Sequence, residues 1–541
     1  MRKWQWLLIL LVFVGMRIPK WWSYDPDTED LFRLGRTFDR YGFLERRGVL
    51  ISEVHGKVSD PSDYDYPDHS PIPYWIGWAL MRLLGDRSVW FIGLALGWLN
   101  LVLAWRVAHR ARFSASQMTC FLLLWSASPT LARFELELLV VYLAAQLLGF
   151  WVILRQSDAA LPENKLSLMV YLLAVVVALT GDWVGGFTVS GWLLYLWWER
   201  RNPRLRGWWV WTLIALVVAV GAYATYVVRV SPPGVSGYVL RQAGMASGGA
   251  VPRSRLLLAL VLKFFLLTGP LTALVGVLAL IGFALGRLGS PAQSSFMRLA
   301  AIQVAPWFVF HGIFSHLCAV EQWTYGFFVL PLAGLACIPL GNACENRSYS
   351  SVRRRAVIVA LAGTVAFQFA FVWLRWRLEG DTSAALTVAS FLRQQTQLED
   401  LILSRVSYTS TPLALDEGVL EDKANRLIYF PDPRDYDRWW TTPTGPQAKR
   451  YVLVQDNSPD PLPAAVAALP MEPVAAVTVR VAERKINLAA RLQLLYWRLR
   501  GLRPQLPQVG QPATNVTIRL FRVKTSETSA FPPPRSGGSS K

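Results

Sequence analysis

The chain is poor in the residues that build soluble catalytic and metal centres. Its four cysteines, Cys120, Cys318, Cys337 and Cys344, contain no CxxC pair, and the first three lie in or beside apolar stretches. That spacing excludes a disulfide framework and a cysteine-based zinc site. No GxGxxG follows a strand-like run, and neither GxxxxGK[ST] nor HExxH occurs, so the usual nucleotide cradles and the zincin helix are missing. Charge is also scarce, at 17% of 541 residues, against 53% hydrophobic residues and 25 tryptophans. An average soluble fold carries about 25% charge. With a mean hydropathy of +0.31, much of the chain must be solvated by lipid.

The scarce charge is biased, with 55 Lys and Arg against 36 Asp and Glu and a net +19. Such a balance raises the question of nucleic acid. Here, however, the arginines fall in short runs between apolar segments. That distribution indicates membrane lipids as the partner, with no role for nucleic acid.

Eleven apolar segments are predicted to span a membrane: Trp4–Met16, Ser88–Trp105, Gln117–Leu131, Leu138–Leu154, Leu166–Thr180, Trp183–Trp198, Trp208–Val228, Phe264–Gly286, Leu299–Phe314, Thr324–Leu340 and Ala356–Leu374. No small-residue cleavage site follows the first, so it is read as an uncleaved helix. Five basic clusters, Arg106–Arg112, Arg155–Lys165, Arg200–Arg206, Arg287–Arg298 and Arg347–Arg355, fall in alternate loops. The positive-inside rule puts them and the N-terminus in the cytoplasm. Loops 17–87, 132–137, 181–182, 229–263 and 315–323, and the chain after Arg375, then face outward.

The expected fold class is mostly α: a polytopic transmembrane helical domain over 1–375 with a C-terminal exoplasmic α/β domain over 376–524. Residues 525–541 read as a disordered tail. Within the first outer loop, 17–87, the segment Ile72–Leu84 is apolar but too short to span, and reads as an interfacial helix. In the C-terminal domain, Ser383–Ser404 has helical periodicity. Strand-like runs follow at Arg426–Phe430, Arg450–Gln455, Val474–Val481 and Asn515–Val523.

Candidate chemistry collects in the outward loops. Asp25, Asp27, Glu29 and Asp30 put four carboxylates within six positions just past the first span. Asp27 also suits the cap of a helix running to Asp39. A carboxylate at the membrane surface can remove the proton of an attacking hydroxyl or amine. A leaving phosphate would need cationic or hydrogen-bonding neighbours.

The order of motifs resembles the GT-C superfamily of membrane glycosyltransferases, in particular the protein O-mannosyltransferases and the lipid A aminoarabinose transferase. A first helix is followed by the acidic loop with Asp27, Phe32 and Gly35-Arg36. Next come His69-Ser-Pro71-Ile-Pro73-Tyr74-Trp75 and Leu83-Leu84-Gly85-Asp86 before the second span. The family's Asp-Glu pair is spread here into Asp27-Thr28-Glu29, so the resemblance offers Asp27 or Glu29 as the base. His69 and Arg36 would meet the donor phosphate, although His69 could equally cap Ile72–Leu84.

Three later segments follow the same pattern: Ser128-Pro129 with Arg133, Glu135 and Glu137; Gly181-Asp182-Trp183; and His316 with Glu321, Trp323, Tyr325 and Pro331. The resemblance puts Glu135, Glu137, Asp182, His316 and Glu321 on the acceptor side or around a metal, leaving a divalent cation open as a cofactor. Interfacial charge and the aromatic belt are the alternative readings of these residues. The function implied is inverting transfer of a sugar from a polyprenyl-phosphate-linked donor to a lipid, glycan or protein acceptor on the exoplasmic or periplasmic side of the plasma (inner) membrane. A transporter or flippase of lipid-linked saccharides would instead carry paired broken helices at midplane. Gly269-Pro270 and Lys263 mark one such break, with no counterpart in the other half. A third reading is a catalytically inactive GT-C-like assembly protein.

Overall fold

A computed structural model describes residues 1–22, 37–45, 71–134, 139–158, 166–181, 184–230, 253–288, 293–315, 323–345, 350–379, 383–404, 426–429, 439–441, 447–456, 464–481 and 514–524. It also describes positions 47, 49, 318, 420, 424, 488, 491, 492 and 495. The helices follow the apolar runs of the sequence. They are α1 (Lys3–Trp22), α2 (Ile72–Leu84), α3 (Asp86–Arg110), α4 (Ala115–Ser126), α5 (Pro129–Phe134), α6 (Leu139–Ser157), α7 (Leu166–Gly181) and α8 (Gly185–Trp198). The series continues with α9 (Trp208–Val230), α10 (Arg253–Thr268), α11 (Pro270–Ala284), α12 (Ser294–Ile313), α13 (Gly326–Glu345) and α14 (Ser351–Glu379). Local signals set several boundaries. Ser114 and Gln117 form a reciprocal capping box at the start of α4, and Pro129 opens α5 where the expected span Gln117–Leu131 divides.

Among the described residues, five helices are long and apolar enough to cross a membrane, or six if the bent pair α10–α11 is one span. The chain is a multi-pass membrane protein. Its exposed surface shows why: Val217, Val218 and Val220 on α9 and Val359 on α14 are all more than half exposed, a surface that water would not tolerate over such an area. The opposite extreme is α13, whose spanning stretch is 83% buried against 11% for α9 and α14. Neighbours approach it closely. A Cβ on Gly276 of α11 would lie 2.7 Å from the Leu332 carbonyl oxygen, and one on Gly341 would lie 2.7 Å from the Gln117 backbone.

The arginine-bearing end of the bundle is tied by polar contacts between helices. Arg112 pairs with Asp158 at 3.0 Å and Arg298 with Glu199. Gln117 donates to Asn342 at 2.8 Å and accepts from Gln293 at 2.7 Å.

The expected span Phe264–Gly286 is broken. Helices α10 and α11 meet at 106°, because Gly269 adopts φ +106° and Pro270 cannot continue the ladder of α10.

Beyond α14, helix α15 (Ser383–Gln395) ends earlier than the helical reading of Ser383–Ser404, and Leu401–Ser404 is strand β1. Asp400 explains the change. Its carboxylate accepts from the backbone amides of Gln397 at 2.7 Å and Lys449 at 2.8 Å, turning the chain and seating it beside the next strand. With β2 (Leu427–Tyr429), β3 (Arg450–Gln455), β4 (Met471–Val481) and β5 (Thr514–Val523), it forms a sheet of order β2-β1-β3-β5-β4. The pairs β2–β1 and β1–β3 are parallel, and β3–β5 and β5–β4 antiparallel. Alternation sorts the side chains: Ile402, Tyr451 and Leu453 face Val388 and Leu392 of α15, while Leu401, Leu403 and Val452 pack with Trp439 and Val466.

Gly269→Ala is expected to lower the thermal midpoint of the detergent-purified protein. The added Cβ would sit 1.9 Å from Gln368 Nε2, and a left-handed φ costs a non-glycine residue about 1–3 kcal/mol. Combining it with Gln368→Ala should recover the part due to the clash and leave the part due to φ.

Candidate functional site

All nine residues singled out from the sequence, Asp27, Glu29, Arg36, His69, Glu135, Glu137, Asp182, His316 and Glu321, lie outside the described residues. Their described neighbours do meet, at the end of the bundle opposite the arginine clusters. Phe38, two positions after Arg36, packs with Tyr74, five after His69, in an aromatic cluster completed by Phe43, Trp75 and Trp78. Asp39 pins that cluster, its Oδ1 accepting from Trp78 Nε1 and Arg82 Nε, each at 2.8 Å. Tyr142, five positions after Glu137, presses on Gly181, the residue before Asp182: a Cβ there would lie 2.5 Å from the Tyr142 hydroxyl.

The chain between His316 and Glu321 is held at Cys318. Its carbonyl accepts from Lys263 Nζ at 3.3 Å and from the Tyr325 hydroxyl at 3.2 Å. The Lys263 ammonium also lies 5.8 Å from the Tyr325 ring centroid, within the range of a cation–π attraction. On the far side of that ring network, His311 meets Tyr325 edge-to-face with centroids 4.9 Å apart. Its Nδ1 lies 2.9 Å from the Trp307 carbonyl oxygen and its Nε2 3.4 Å from Thr324 Oγ1. Lys263 is only 6% exposed.

The broken helix sits beside these groups. Thr130 Oγ1 donates to the Leu267 carbonyl at 2.9 Å and Ser128 Oγ to the same oxygen at 3.4 Å. The Ser-Pro segment thus serves the buried last turn of α10. Close by, Arg17 is fully buried, donating to the carbonyls of Phe13 at 3.1 Å and Ser126 at 3.0 Å. Both amide atoms of Gln368 and the hydroxyls of Ser126, Thr268 and Thr272 are buried with no hydrogen-bond partner among the described residues. Buried polar groups of this kind are costly unless hydrated, so the elbow is a polar patch buried within the bundle. No group of three or more His, Cys, Asp or Glu able to hold a metal occurs among the described residues.

Lys263 and His311 have no place in the motifs of the sequence. The signal for Lys263 was a single cation inside the apolar run Leu256–Leu267, a costly position that calls for a buried partner. His311 gave no comparable signal.

No protein-family model matches the chain, and no curated protein sequence matches it. The fold has solved counterparts. The crystal structure of ArnT from Cupriavidus metallidurans bound to undecaprenyl phosphate aligns over 87% of this chain and 96% of its own, with a TM-score of 0.54 and 14% identity. ArnT from the same organism in the apo state aligns over the same shares at 0.52. The chain therefore shares the overall fold of ArnT. At 14% identity the likeness is one of architecture, and the chemistry has to be argued from this chain's own residues. The polar elbow and the Cys318 network lie at the end of the bundle from which α14 leads to the C-terminal domain.

Thr130→Val should cost about 1 kcal/mol, the net worth of a neutral hydrogen bond, because it removes the shorter donor to Leu267. Ser128→Ala should cost less. Thermal midpoints of the two variants, ranked against the parent, check the order.

Proposed function

We propose that the chain is an integral membrane glycosyltransferase that moves a sugar from a polyprenyl-phosphate-linked donor to an acceptor on the exoplasmic face, with inversion. The observation that carries the proposal is the fold shared over 87% of this chain with an enzyme crystallised with undecaprenyl phosphate. The basic clusters at one end of the bundle support a cytoplasmic N-terminus and an exoplasmic C-terminal domain. Buried cations at the other end, Arg17 and Lys263, suit chemistry that handles a phosphate.

In this reading Asp27 or Glu29 is the general base. As the acceptor oxygen or nitrogen bonds to the anomeric carbon, its proton passes to the carboxylate. The bond from that carbon to the phosphate oxygen breaks, and polyprenyl phosphate leaves with the electron pair. Direct displacement inverts the anomeric centre. His69 and Arg36 meet the phosphate, and Glu135, Glu137, Asp182, His316 and Glu321 shape the acceptor side. The three-part layout carries over as well: a transmembrane domain over 1–375, a soluble domain over 376–524 and a tail over 525–541.

Asp27→Asn combined with Glu29→Gln, assayed in membranes with a polyprenyl-phosphate sugar, should reduce transfer by about 10²–10⁴-fold, the usual contribution of a general base. Full activity in the double variant would sink the base assignment. Catalytic failure of the parent chain with every donor tried would favour an inactive GT-C scaffold.

Lys263→Met tests the cation beside Cys318. Transfer should fall while the thermal midpoint stays within a few degrees, since the Tyr325 hydroxyl still donates to the Cys318 carbonyl and a buried acceptor that keeps a partner avoids the desolvation penalty. If activity is unchanged, Lys263 only holds the Cys318 carbonyl.

A further inference from the structure

The turn between α8 and α9, residues 199–207, holds more positive charge than its surroundings use. Its sequence, Glu-Arg-Arg-Asn-Pro-Arg-Leu-Arg-Gly, carries four arginines and one acid. That acid is committed elsewhere, because Glu199 pairs with Arg298 of α12. Arg204 is engaged too, donating to the Asp158 carbonyl at 2.8 Å, while the Asp158 carboxylate pairs with Arg112. The remaining three, Arg200, Arg201 and Arg206, are all exposed. Among the described residues, the side chains of Arg201 and Arg206 make no hydrogen bond or ion pair.

These cations project from a stiff frame. The Asn202 amide donates to the Glu199 carbonyl at 2.8 Å, and those of Leu205 and Trp208 donate to the carbonyls of Asn202 and Leu205, each at 3.1 Å. Gly207 closes the run at φ +84°. The Asn202 side chain accepts from the Arg204 amide at 3.1 Å, an Asx turn. Leu205 is fully buried, and Gln156 Nε2 donates to the Arg204 carbonyl at 3.3 Å. Arg200 is itself held in place. Its guanidinium donates to the Trp197 carbonyl at 3.0 Å and lies 4.3 Å from the Trp197 ring centroid. Stacking of this kind sets the plane of the fork and leaves its other N–H donors for a ligand.

The surface beside the cations is apolar. Trp197 is half exposed, and Trp198 and Trp211 more than half. One helical turn further into the bundle, Leu194 on α8 and Ile214 on α9 are also about half exposed. Bare indoles at a helix end belong at the headgroup level of a bilayer, and the aliphatic side chains behind them belong among acyl chains.

We propose that this turn binds an anionic phospholipid. Arg200, Arg201 and Arg206 take the phosphate, and Trp198 and Trp211 lie against the glycerol and the upper acyl chains. A lipid fits better than an acidic protein segment because unpaired cations and bare apolar side chains stand one above the other, as phosphate and acyl chain do in a phospholipid. The general attraction of basic loops to an anionic leaflet needs no fixed geometry. A rigid turn with a stacked guanidinium makes retention depend on these three side chains instead of on net charge. The site lies at the end of the bundle away from Lys263 and Cys318, so it does not rest on the glycosyl-transfer reading.

The test uses the full chain, purified in detergent and stripped of lipid. It is titrated with phosphatidylglycerol or phosphatidylcholine and followed by native mass spectrometry and thermal unfolding. The parent should retain phosphatidylglycerol under conditions that remove phosphatidylcholine, and its thermal midpoint should rise with the anionic lipid. Arg200→Gln, Arg201→Gln and Arg206→Gln combined should weaken phosphatidylglycerol retention at least about tenfold and abolish that rise. Its lipid-free midpoint should match the parent's, as expected for exposed positions. A second variant removes the same charge from exposed arginines elsewhere at this end, Arg106→Gln with Arg287→Gln and Arg355→Gln, and should behave like the parent. An equal loss in that second variant would overturn the site and leave only a general attraction of charge. Equal retention of the two lipids by the parent would also overturn it, and would turn the unpaired cations over to an acidic protein segment.

Discussion

A helix that turns inside a bilayer must find partners for backbone groups that no water can reach, and this structure is organised around one such turn. The break between α10 and α11 strips the last turn of α10 of its onward hydrogen bonds. The Leu267 carbonyl is recovered by hydroxyls from Thr130 and Ser128, brought in by a second interruption between α4 and α5. Two breaks in different helices thus complete each other. Gly269 supplies the left-handed φ, and Gln368 fills the space that any side chain there would need.

Around that elbow the bundle is graded. Its centre is α13, enclosed by protein and approached closely at glycines, while α9 and α14 give most of their spanning surface to lipid. The two ends differ in chemistry. One is closed by ion pairs and amides between arginine-bearing loops. The other holds Lys263, Tyr325, Cys318 and His311 and the buried polar groups of the elbow.

Most helices were legible because long apolar runs have few alternatives, and Leu166–Gly181, Trp208–Val230 and Ile72–Leu84 fall within two residues of their expected bounds. The Gly269-Pro270 break could be read, but its angle could not, since it follows from the positive φ that Gly269 adopts in the folded chain. Strand β1 was hidden: Leu401-Ile402-Leu403 fits a helical stripe as well as a buried strand, and the Asp400 carboxylate decides between them through a contact with Lys449. For the site, motif order named acids that all lie outside the described residues. The same motifs passed over Lys263 and His311, because a single polar residue in an apolar run looks alike whether it holds a loop or binds a ligand.

One feature of the chain's length bears on how its two parts cooperate. Only residues 380–382 separate the end of α14 from the start of α15. Three residues reach at most about 11 Å when fully extended. The start of α15 is therefore held within that distance of the end of α14, and the effective concentration of the sheet domain beside the bundle lies in the range of short linkers, about millimolar or above. Contacts that would be far too weak to join two separate molecules, such as Tyr41 of the first loop against the Trp439 cluster, can then be occupied most of the time. Lengthening that tether would dilute the domain away from the membrane without altering a single contact.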